Sequence, residues 1–337
     1  MNTLPTPRVS AIVSLYNAER FLAGCLDDLT SQTLGHELEI IVIDACSPQN
    51  EQAIVRAYQR EHPNITYMRT DEREGVYASW NRGIQMARGT YVTNANADDR
   101  HRPDALATLA DALDTAPDKA FAYGDCLVST VENETYAQHD GHKVMRFPAF
   151  FAPAPLLYCQ LGPQPVWRRS VHDTIGFFNA SYRACADWDF NIRLTAHYQG
   201  LHVPQPLGVY LEHASAITFR DDTMLRENDL VRRHWQNPAA VEERYAIMGI
   251  RPADSTQRAL IHCDMALRAM RFYAPWGYGH ADHCLPFARR CLRHALRLSP
   301  ALDFARELLA LDDPSLMALD DLPSPLGLPT QRELAAG

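Results

Sequence analysis

The sequence has no glycine-rich loop of the kind that cradles phosphate groups with backbone amides. Neither a GxGxxG segment after the first apolar run nor a GxxxxGK[ST] segment occurs in the 337 residues. Such loops bring the backbone close to the pyrophosphate of a dinucleotide or to a triphosphate. Their absence argues against backbone cradling of either ligand.

Long apolar runs and paired cysteines are also missing. No stretch approaches the roughly 18 uninterrupted apolar residues of a membrane-spanning helix. The first residues, MNTLPTPR, do not combine a charged start with an apolar run, so we expect no secretory signal. The eight cysteines are scattered without a CxxC pair, which predicts reduced, mostly buried thiols. Together these features predict a cytoplasmic protein without a transmembrane segment.

Positive charge is in short supply, because 32 lysines and arginines face 41 acidic residues and leave a net charge of −9. An acidic surface repels phosphate backbones, so nucleic acid is not an expected partner. Any anionic substrate would need a local device such as a metal ion. The share of hydrophobic residues, 46%, is that of a globular protein and excludes a disordered or collagen-like chain.

Apolar runs and helical periodicity alternate through the first 130 residues. The β-branched runs at 9–15 and 38–43 suit strands buried on both faces of a parallel sheet. The segment 18–33 between them has helical spacing, which makes a strand–helix–strand crossover unit. The same alternation predicts helices at 50–61, 75–87 and about 103–113, with Pro103 at the first helical position, and strands at 65–68, 90–93 and 120–128.

The second half of the chain has a different character. A proline-rich stretch at 144–165 predicts a long ordered loop, followed by a helix at 187–198 and a strand at 207–213. Beyond residue 221 only helical patterns remain, at 225–245, 255–273 and 285–298. We therefore predict an open, mostly parallel α/β domain over residues 1–220 and an α-helical region over 221–337. The tail from Pro314 is expected to be loosely held.

Polar side chains follow three of the predicted strands. They lie at 14–17, 44–47 and 94–99, and the carboxyl ends of parallel strands are where ligands bind in open α/β sheets. The adjacent carboxylates Asp98 and Asp99 would be costly at a buried strand end without a counter-charge. Mg²⁺ or Mn²⁺ would supply it and could also neutralise a diphosphate. The simpler alternative is a solvated turn in which one aspartate caps a helix.

Several segments in order resemble family-2 inverting glycosyltransferases of the GT-A fold. They are PRVSAIVSLYN (7–17), SQT (31–33), EIIVIDACS (39–47), EGVYASWNRGIQMARGTYV (74–92), NANADDRHRPD (94–104), ADWDFNIRL (186–194), and the Y-x-x-H-x-S pattern at 210–215. The resemblance covers about residues 7–220. It implies a GT-A-like domain there, an activity that moves a sugar from a nucleotide-sugar, and Mn²⁺ or Mg²⁺ as cofactor.

The resemblance also implies roles for individual residues. Asp187 matches the catalytic base, and Asp98 and Asp99 match the aspartates that bind the ribose and the metal. His213 is a candidate for a further metal or diphosphate contact, with an ordinary strand histidine as the alternative. Donor-binding positions are implied at Tyr16, Asn17, Asp44, Asn81, Asn96 and Asp98, with Asp44 reading the nucleobase, commonly uracil, and Trp80 and Arg82 as further candidates. Gln164, Trp167 and Trp188 are candidates for the acceptor side, although core packing suits Trp167 equally well.

The chain departs from the family pattern at three positions. The common DDGS is Asp44-Ala45-Cys46-Ser47 here, which leaves one carboxylate. The first position of the DxDD-type segment is Asn96, which can bond a ribose but adds no charge. The usual glutamate before the catalytic aspartate is Ala186, so either Asp187 acts without that neighbour or Asp189 takes the part.

The sequence thus predicts a metal-dependent inverting glycosyltransferase of the hexosyltransferase type. The donor would be a UDP-sugar and the acceptor a carbohydrate or lipid-linked hydroxyl, in surface-glycan assembly. The alternatives are a non-catalytic scaffold of the same fold and a nucleotidyltransferase. Two further patterns stay open: a structural metal at His280, His283 and Cys284, and peripheral membrane contact through Arg289, Arg293 and Arg297, where a solvated helix face is the simpler interpretation.

Overall fold

The structure is a computed structural model that describes residues 6–217, 222–270, 281–312, 322–330 and 333–334. By compactness the chain forms two units. The first consists of Met1–Phe147, Leu161–Phe190 and Gly200–Glu227, and the second of Pro148–Gln160, Asn191–Gln199 and Asn228–Gly337. The predicted boundary near residue 220 stays a prediction, since these units are discontinuous in sequence and divide the chain differently.

The first unit begins with parallel strands joined by helices, as the alternating pattern predicts. The strands pair in the order β3-β2-β1-β4, all parallel, with Val9 opposite Leu38 and Tyr91. The elements are β1 (Val9–Leu15), α1 (Glu19–Thr30), β2 (Leu38–Asp44), α2 (Glu51–Gln59), β3 (Ile65–Arg69), α3 (Val76–Met86) and β4 (Tyr91–Asn94).

The sheet then continues with antiparallel strands. Beyond β4 the order is β8-β6-β9-β5, and β8 pairs antiparallel with both β4 and β6. The elements are β5 (Arg100–His101), α4 (Ala105–Thr115), β6 (Lys119–Ser129), β7 (Val144–Met145), β8 (Val166–Arg168), α5 (His172–Ile175), α6 (Ala186–His197) and β9 (Gln199–Leu211). The predicted α/β fold with a parallel sheet is confirmed, and the antiparallel part is an addition that the sequence pattern did not predict.

The core of the first unit forms between the sheet and the apolar stripes of its helices. Strands β1 and β2 are buried along almost their whole length, which explains their lack of polar alternation. Helix α1 buries Phe21, Leu22, Cys25, Leu26 and Leu29 at helical spacing. These layers fix the carboxyl ends of the strands, where the polar segments follow.

Beyond residue 221 the described residues form helices joined by loops, and the described stretch 322–330 is not helical. The helices are α7 (Thr223–Trp235), α8 (Pro238–Ile247), α9 (Ser255–Met270), α10 (Ala281–Leu298) and α11 (Asp303–Ala310). The predicted helix over 225–245 is wrong as a single element, because Asn237 accepts a hydrogen bond from the Ala240 amide at 3.0 Å and Pro238 opens a new helix.

Other element boundaries also differ from the prediction. Pro103 lies before α4 rather than at its first position, because the helix begins at Ala105. Strand β9 begins at Gln199, eight residues before the predicted strand. The polar and proline-containing start of β9 hides that strand from an apolar pattern search.

Hydrogen bonds connect the described parts of the tail to the rest of the helical unit, and the predicted loose tail stays a prediction. Arg268 donates a hydrogen bond to the Pro329 carbonyl at 3.0 Å, and the Ala149 amide donates to the Leu334 carbonyl at 2.9 Å. Ser324 also bonds Asp264. The rest of the predicted loose tail, including residues 313–321, lies outside the described residues. None of the described helices has the length and apolarity that crossing a bilayer requires.

Candidate functional site

A cleft of about 730 Å³ opens in the first unit at the carboxyl ends of the parallel strands. Its volume falls within the range of small-molecule and cofactor sites. The segments after β1 and β4, the start of α6 and the end of β9 contribute its walls. Eight residues predicted for the site line it: Tyr16, Asn17, Trp80, Asn96, Asp98, Asp99, Asp187 and His213.

The turn after β1 is held by a buried carboxylate. Asn17 adopts a φ of 55°, and its amide donates to the Ser47 hydroxyl at 3.0 Å. Ser47 in turn donates to Glu51 at 2.7 Å, and the Ala18 amide donates to the same carboxylate at 2.9 Å. This network fixes the backbone from which Tyr16 projects into the cleft.

Tyr16 carries a cation over its ring. The Arg73 guanidinium lies 4.1 Å from the centre of the Tyr16 ring, and both residues line the cleft. Arg20 and Arg183 line it as well. In a chain with a large net negative charge, these arginines make the cleft locally suited to an anionic ligand.

Asp44 is fully buried beneath the cleft. Its carboxylate accepts hydrogen bonds from the Ser47 amide at 2.8 Å, from the Tyr67 hydroxyl at 2.6 Å and from Arg69 at 2.5 Å. Burial, together with the Asp44 carboxylate, raises the pKa of Tyr67 to about 12. The residue next in the chain, Ala45, lines the cleft instead. The base-reading role of Asp44 therefore stays a prediction.

Asp98 and Asp99 form the acidic side of the cleft. Asp99 is buried and accepts from the Asn96 amide group at 2.9 Å and from the Leu211 backbone amide at 3.1 Å. Asp98 is half-buried and lies 2.9 Å from Nε2 of His213. Desolvation, followed by the neighbouring Asp98 charge, raises the pKa of Asp99 to about 8.

This acidic pair fits a divalent cation. Within the described part of the chain, neither carboxylate forms a salt bridge with a lysine or arginine, although Asp99 is buried. Two carboxylates and a cleft-facing imidazole are oxygen and nitrogen donors of the kind that Mg²⁺ and Mn²⁺ accept. A cation would offset the cost of placing these negative charges side by side.

Arg100 shapes the acidic turn from behind. It is only 2% exposed, and its guanidinium donates to the carbonyls of Ala97 at 3.1 Å and of Asp99 at 2.7 Å. These bonds fix the backbone of the turn. The sequence analysis did not predict a role for Arg100. Its position directly after Asp98 and Asp99 in the sequence could have indicated one.

Asp187 lies at the start of α6 and is exposed to the cleft. Its Oδ1 accepts from the Trp188 amide at 2.8 Å and from the Tyr77 hydroxyl at 3.2 Å. Although solvent reaches the carboxylate through the cleft, the surrounding protein removes much of its hydration, and this desolvation raises the pKa of Asp187 above its usual range. An exposed carboxylate with a raised pKa suits a general base.

Tyr77 orients this carboxylate and was not predicted. It is 4% exposed, packs edge-on to Trp80 with ring centres 5.2 Å apart, and stacks on Phe178 at 6.0 Å. Burial strongly raises the pKa of Tyr77, so its hydroxyl stays protonated and able to donate to Asp187. Nothing local in the sequence links the two residues, which are 110 positions apart.

Four further residues predicted for the site do not line the cleft, so their donor and acceptor roles stay predictions. Asn81 donates to the Phe178 carbonyl and accepts from its amide, at 2.8 and 2.9 Å. Gln164 is buried and donates to the Arg100 carbonyl at 2.8 Å. Trp167 is 1% exposed and donates to His172 in the core, and Trp188 is 5% exposed. Trp80, in contrast, lines the cleft.

A second group of possible metal ligands lies in the helical unit. Glu242, His262 and His294 approach one another, but Arg258 already bonds both oxygens of Glu242, at distances of 2.8 to 3.2 Å. We interpret this group as an ion-pair network.

The pattern at His280, His283 and Cys284 falls on residues whose side chains are largely outside the described residues. Arg289 donates to the carbonyls of Leu309 and Leu311, at 3.2 and 2.9 Å, so membrane contact stays a prediction.

Comparison with known proteins defines the class. The profile of glycosyl transferase family 2 matches residues 10–178, which is half of the chain. The protein therefore belongs to glycosyl transferase family 2, and it is a glycosyltransferase. The resemblance drawn from its sequence motifs is confirmed.

Its relatives are distant. A PGL/p-HBAD biosynthesis glycosyltransferase of Mycobacterium tuberculosis (strain ATCC 25177 / H37Ra) is 28% identical over 191 residues, which are 56% of this chain and 70% of that protein. The glycosyltransferase YwdF of Bacillus subtilis (strain 168) is 26% identical over 205 residues, 60% of this chain and 74% of its own.

Solved structures support the fold. The crystal structure of S. aureus TarS 1–349 in complex with UDP-GlcNAc superposes with a TM-score of 0.59 at 14% identity, covering 92% of this chain and 90% of that one. The likeness extends over the C-terminal helices as well as the sheet.

Proposed function

We propose that this protein is an inverting glycosyltransferase that transfers a sugar from a UDP-sugar to an acceptor hydroxyl, with Asp187 as the general base. The observation that carries the proposal is that Asp187 and the acidic pair Asp98–Asp99 line one cleft. The inverting reaction needs both features, because one end of the donor carries a diphosphate and the other is attacked by the acceptor.

The chain's own residues account for donor binding. Tyr16 offers a ring face for a nucleobase, and the nearby guanidinium of Arg73 adds positive charge. Asn96 offers an amide group to a ribose, although that group also bonds Asp99. Arg20 and Arg183 line the cleft and can pair with phosphate oxygens. The UDP complex of the structurally similar TarS supports the choice of uridine.

A divalent cation, Mn²⁺ or Mg²⁺, would be held by Asp98, Asp99 and His213. When bound, it supplies positive charge that stabilises the departing diphosphate. The buried hydrogen bonds from Asn96 and Leu211 orient Asp99 toward this task. His213 is in turn positioned by Ser215, whose hydroxyl lies 2.8 Å from its Nδ1.

Asp187 performs the proton transfer. An acceptor hydroxyl is far too weak an acid to ionise at neutral pH, so its proton must pass to a base as the oxygen attacks the anomeric carbon. The bond between that carbon and the diphosphate breaks as the new bond forms on the opposite face, which inverts the configuration. Tyr77 and the Trp188 amide hold Oδ1, which leaves Oδ2 of Asp187 to accept the proton.

The acceptor and the setting of the reaction extend the same proposal. We propose a carbohydrate or lipid-linked acceptor in surface-glycan assembly, on the cytoplasmic side of the membrane. The mycobacterial relative is named for PGL/p-HBAD biosynthesis, which supports a role in a biosynthetic assembly reaction. Residues 1–220 would carry the transfer, and the helices beyond would contribute to acceptor selection.

A thermal-shift screen tests the donor proposal. UDP, GDP and ADP are added to the protein at equal concentrations with and without Mn²⁺, because a ligand that binds only the folded state raises Tm. We expect UDP with Mn²⁺ to raise Tm most, by an amount equivalent to about 2.7 kcal/mol at one hundred times Kd. The variant D98N should lose the Mn²⁺-dependent part of the Tm increase, whereas the control variant Asp173→Asn, at an exposed position, should keep it. No shift with any nucleotide would favour the non-catalytic scaffold.

A further inference from the structure

One carboxylate close to Asp187 has no place in the mechanism so far. Glu227 lies one turn into α7 and is 8% exposed. Its side chain reaches back across the chain to the loop that leads into α6. There it accepts hydrogen bonds from three consecutive backbone amides, those of Arg183 at 2.7 Å, Ala184 at 2.7 Å and Cys185 at 3.1 Å.

These contacts place a full negative charge at the start of a helix. Free amides and the helix dipole make a helix N-terminus attractive to anions, and α6 begins at Ala186. Asp187 lies at the same end and itself accepts a hydrogen bond from the Trp188 amide in the first turn, at 2.8 Å. Glu227 bonds the three amides ahead of the helix with both of its oxygens, so two carboxylates share this end of α6.

We propose that Glu227 is a positioning residue for Asp187, which anchors the 183–185 loop and, as a second negative charge at the helix end, limits how far that end stabilises the ionised Asp187 carboxylate. The proposal rests on the function assigned to Asp187 above. Its consequence is a stronger base, since a proton acceptor in a transition state works best when its affinity for the proton matches the working pH.

The other groups around Asp187 do not duplicate this effect. Tyr77 of α3 donates a hydrogen bond, which lowers the pKa of Asp187, whereas the Glu227 charge raises it. The other charged or titratable side chains that line the cleft with Asp187 are Tyr16, Arg20, Arg73, Glu74, Asp98, Asp99, Arg183, Tyr210 and His213. Glu227 is the one carboxylate among the described residues that bonds the amides ahead of α6.

Carbodiimide labelling of the free enzyme tests the proposal without any donor or acceptor. The reagent modifies carboxyl groups in their protonated form, and Asp187 is exposed to it. Trypsin cleaves after Arg183 and Arg193 and yields a peptide of residues 184–193. Fragmentation of this peptide in the mass spectrometer distinguishes a label on Asp187 from one on the buried Asp189. Labelling of Asp187 is followed from pH 4 to 8 in the wild type, in E227Q and in E227D.

In E227Q we expect the midpoint of Asp187 labelling to fall by about 0.5–1 pH unit, the size of shift that one neighbouring charge typically imposes. E227D retains the charge and should stay closer to the wild type. Glu61→Gln makes the same chemical change on an exposed surface and should leave the midpoint unchanged. An unchanged midpoint in E227Q would overturn the proposal.

A second measurement on the wild type guards against a variant that does not fold. Hydrogen exchange should show the amides of Arg183, Ala184 and Cys185 protected, although Arg183 itself is exposed. Exchange at the rate of an open loop would overturn the anchoring role. Neither measurement involves a nucleotide, so a failed donor screen and a failed Glu227 test are distinguishable results.

Discussion

At the scale of single residues, the site depends on hydrogen bonds to carboxylates from distant parts of the chain. Asp187 is oriented by Tyr77, Asp99 by Asn96 and the Leu211 amide, and Asp44 by Arg69. The two bonds to Asp187 both fall on Oδ1, whereas in Asp99 and Asp44 each of the two oxygens accepts a hydrogen bond. The predicted chemistry therefore depends as much on these partners as on the acids themselves.

Replacing Tyr77 by phenylalanine tests this dependence. The ring packing on Trp80 and Phe178 is kept, while the hydrogen bond to Asp187 is lost. Because that bond lowers the pKa of Asp187, its loss should move the acidic limb of the pH–rate profile to higher pH. The lost bond also no longer orients the carboxylate, and because a misplaced reacting group is costly we expect kcat to fall by about tenfold or more.

The matched control is Tyr58→Phe. Tyr58 also bonds a carboxylate, that of Asp27 at 2.6 Å, but does not line the cleft. Loss of the Tyr58 hydroxyl should leave kcat and the pH profile unchanged. A Tyr77→Phe enzyme with the wild-type acidic limb would show that Tyr77 does not govern the base.

Part of the site could be predicted at this scale, and part could not. Tyr16, Asn96, Asp98, Asp99 and Asp187 follow strands or open a helix, so topology alone brings them to one cleft. Residues such as Tyr77, Arg100 and Glu227 act through tertiary contacts that no local pattern encodes. Trp167 illustrates the opposite error, since an aromatic residue suited to sugar stacking is buried in the core.

At the scale of elements, the contact between α3 and β1 places Tyr77 beneath the cleft. Gly83 permits this contact, because a Cβ at that position would lie 2.3 Å from Cγ2 of Ile12. Ile12 itself is buried in β1 and has little room to move. The helix can approach the sheet this closely only where it carries no side chain.

The Gly83→Ala variant should therefore be destabilised. We expect a loss of about 1–3 kcal/mol in the free energy of unfolding, as for other overpacked core positions. Denaturant unfolding measures it. Gly75→Ala adds the same methyl group where no atom lies within 4 Å, and it should change stability little. Equal stability of the two variants would contradict the close contact.

The helical unit should carry an acid-sensitive contact between α8 and α9. His262 is fully buried, and this burial lowers its pKa to about 4. The unfolded chain, with a histidine pKa near 6.5, takes up the proton first, so stability should fall as pH drops from 7 to 5. The loss is expected to be about 1–2 kcal/mol. Urea unfolding of the wild type and of His262→Gln at both pH values measures this loss. If the free energy of unfolding changed equally with pH in the two proteins, the assignment to His262 would be refuted.

The elements themselves were predictable in proportion to their periodicity. Strand β1 and helix α1 have uninterrupted apolar patterns, and their bounds agree with the prediction to within three residues. Strand β8 has three residues and β5 has two, which is too short for any pattern. They form because neighbouring strands offer them hydrogen bonds, and the sequence does not display that environment.

At the scale of the whole molecule, a family-2 glycosyltransferase cleft occurs in the first compact unit, whose residues come from three stretches of the chain. Asp187 and the acidic pair lie in different stretches, about 90 residues apart in sequence. The motifs predicted that they belong to one site, and the fold brings them to one cleft.

The release of UDP from a UDP-sugar in Mn²⁺ by the Asp187→Asn variant is the most direct measurement. It is made beside the wild type and the exposed control Asp173→Asn, with UDP binding followed by thermal shift in all three. We predict that Asp187→Asn binds UDP as the wild type does but releases it about 10²–10⁴ times more slowly, the usual contribution of a general base. Wild-type release by Asp187→Asn would contradict the assignment of Asp187 as the base.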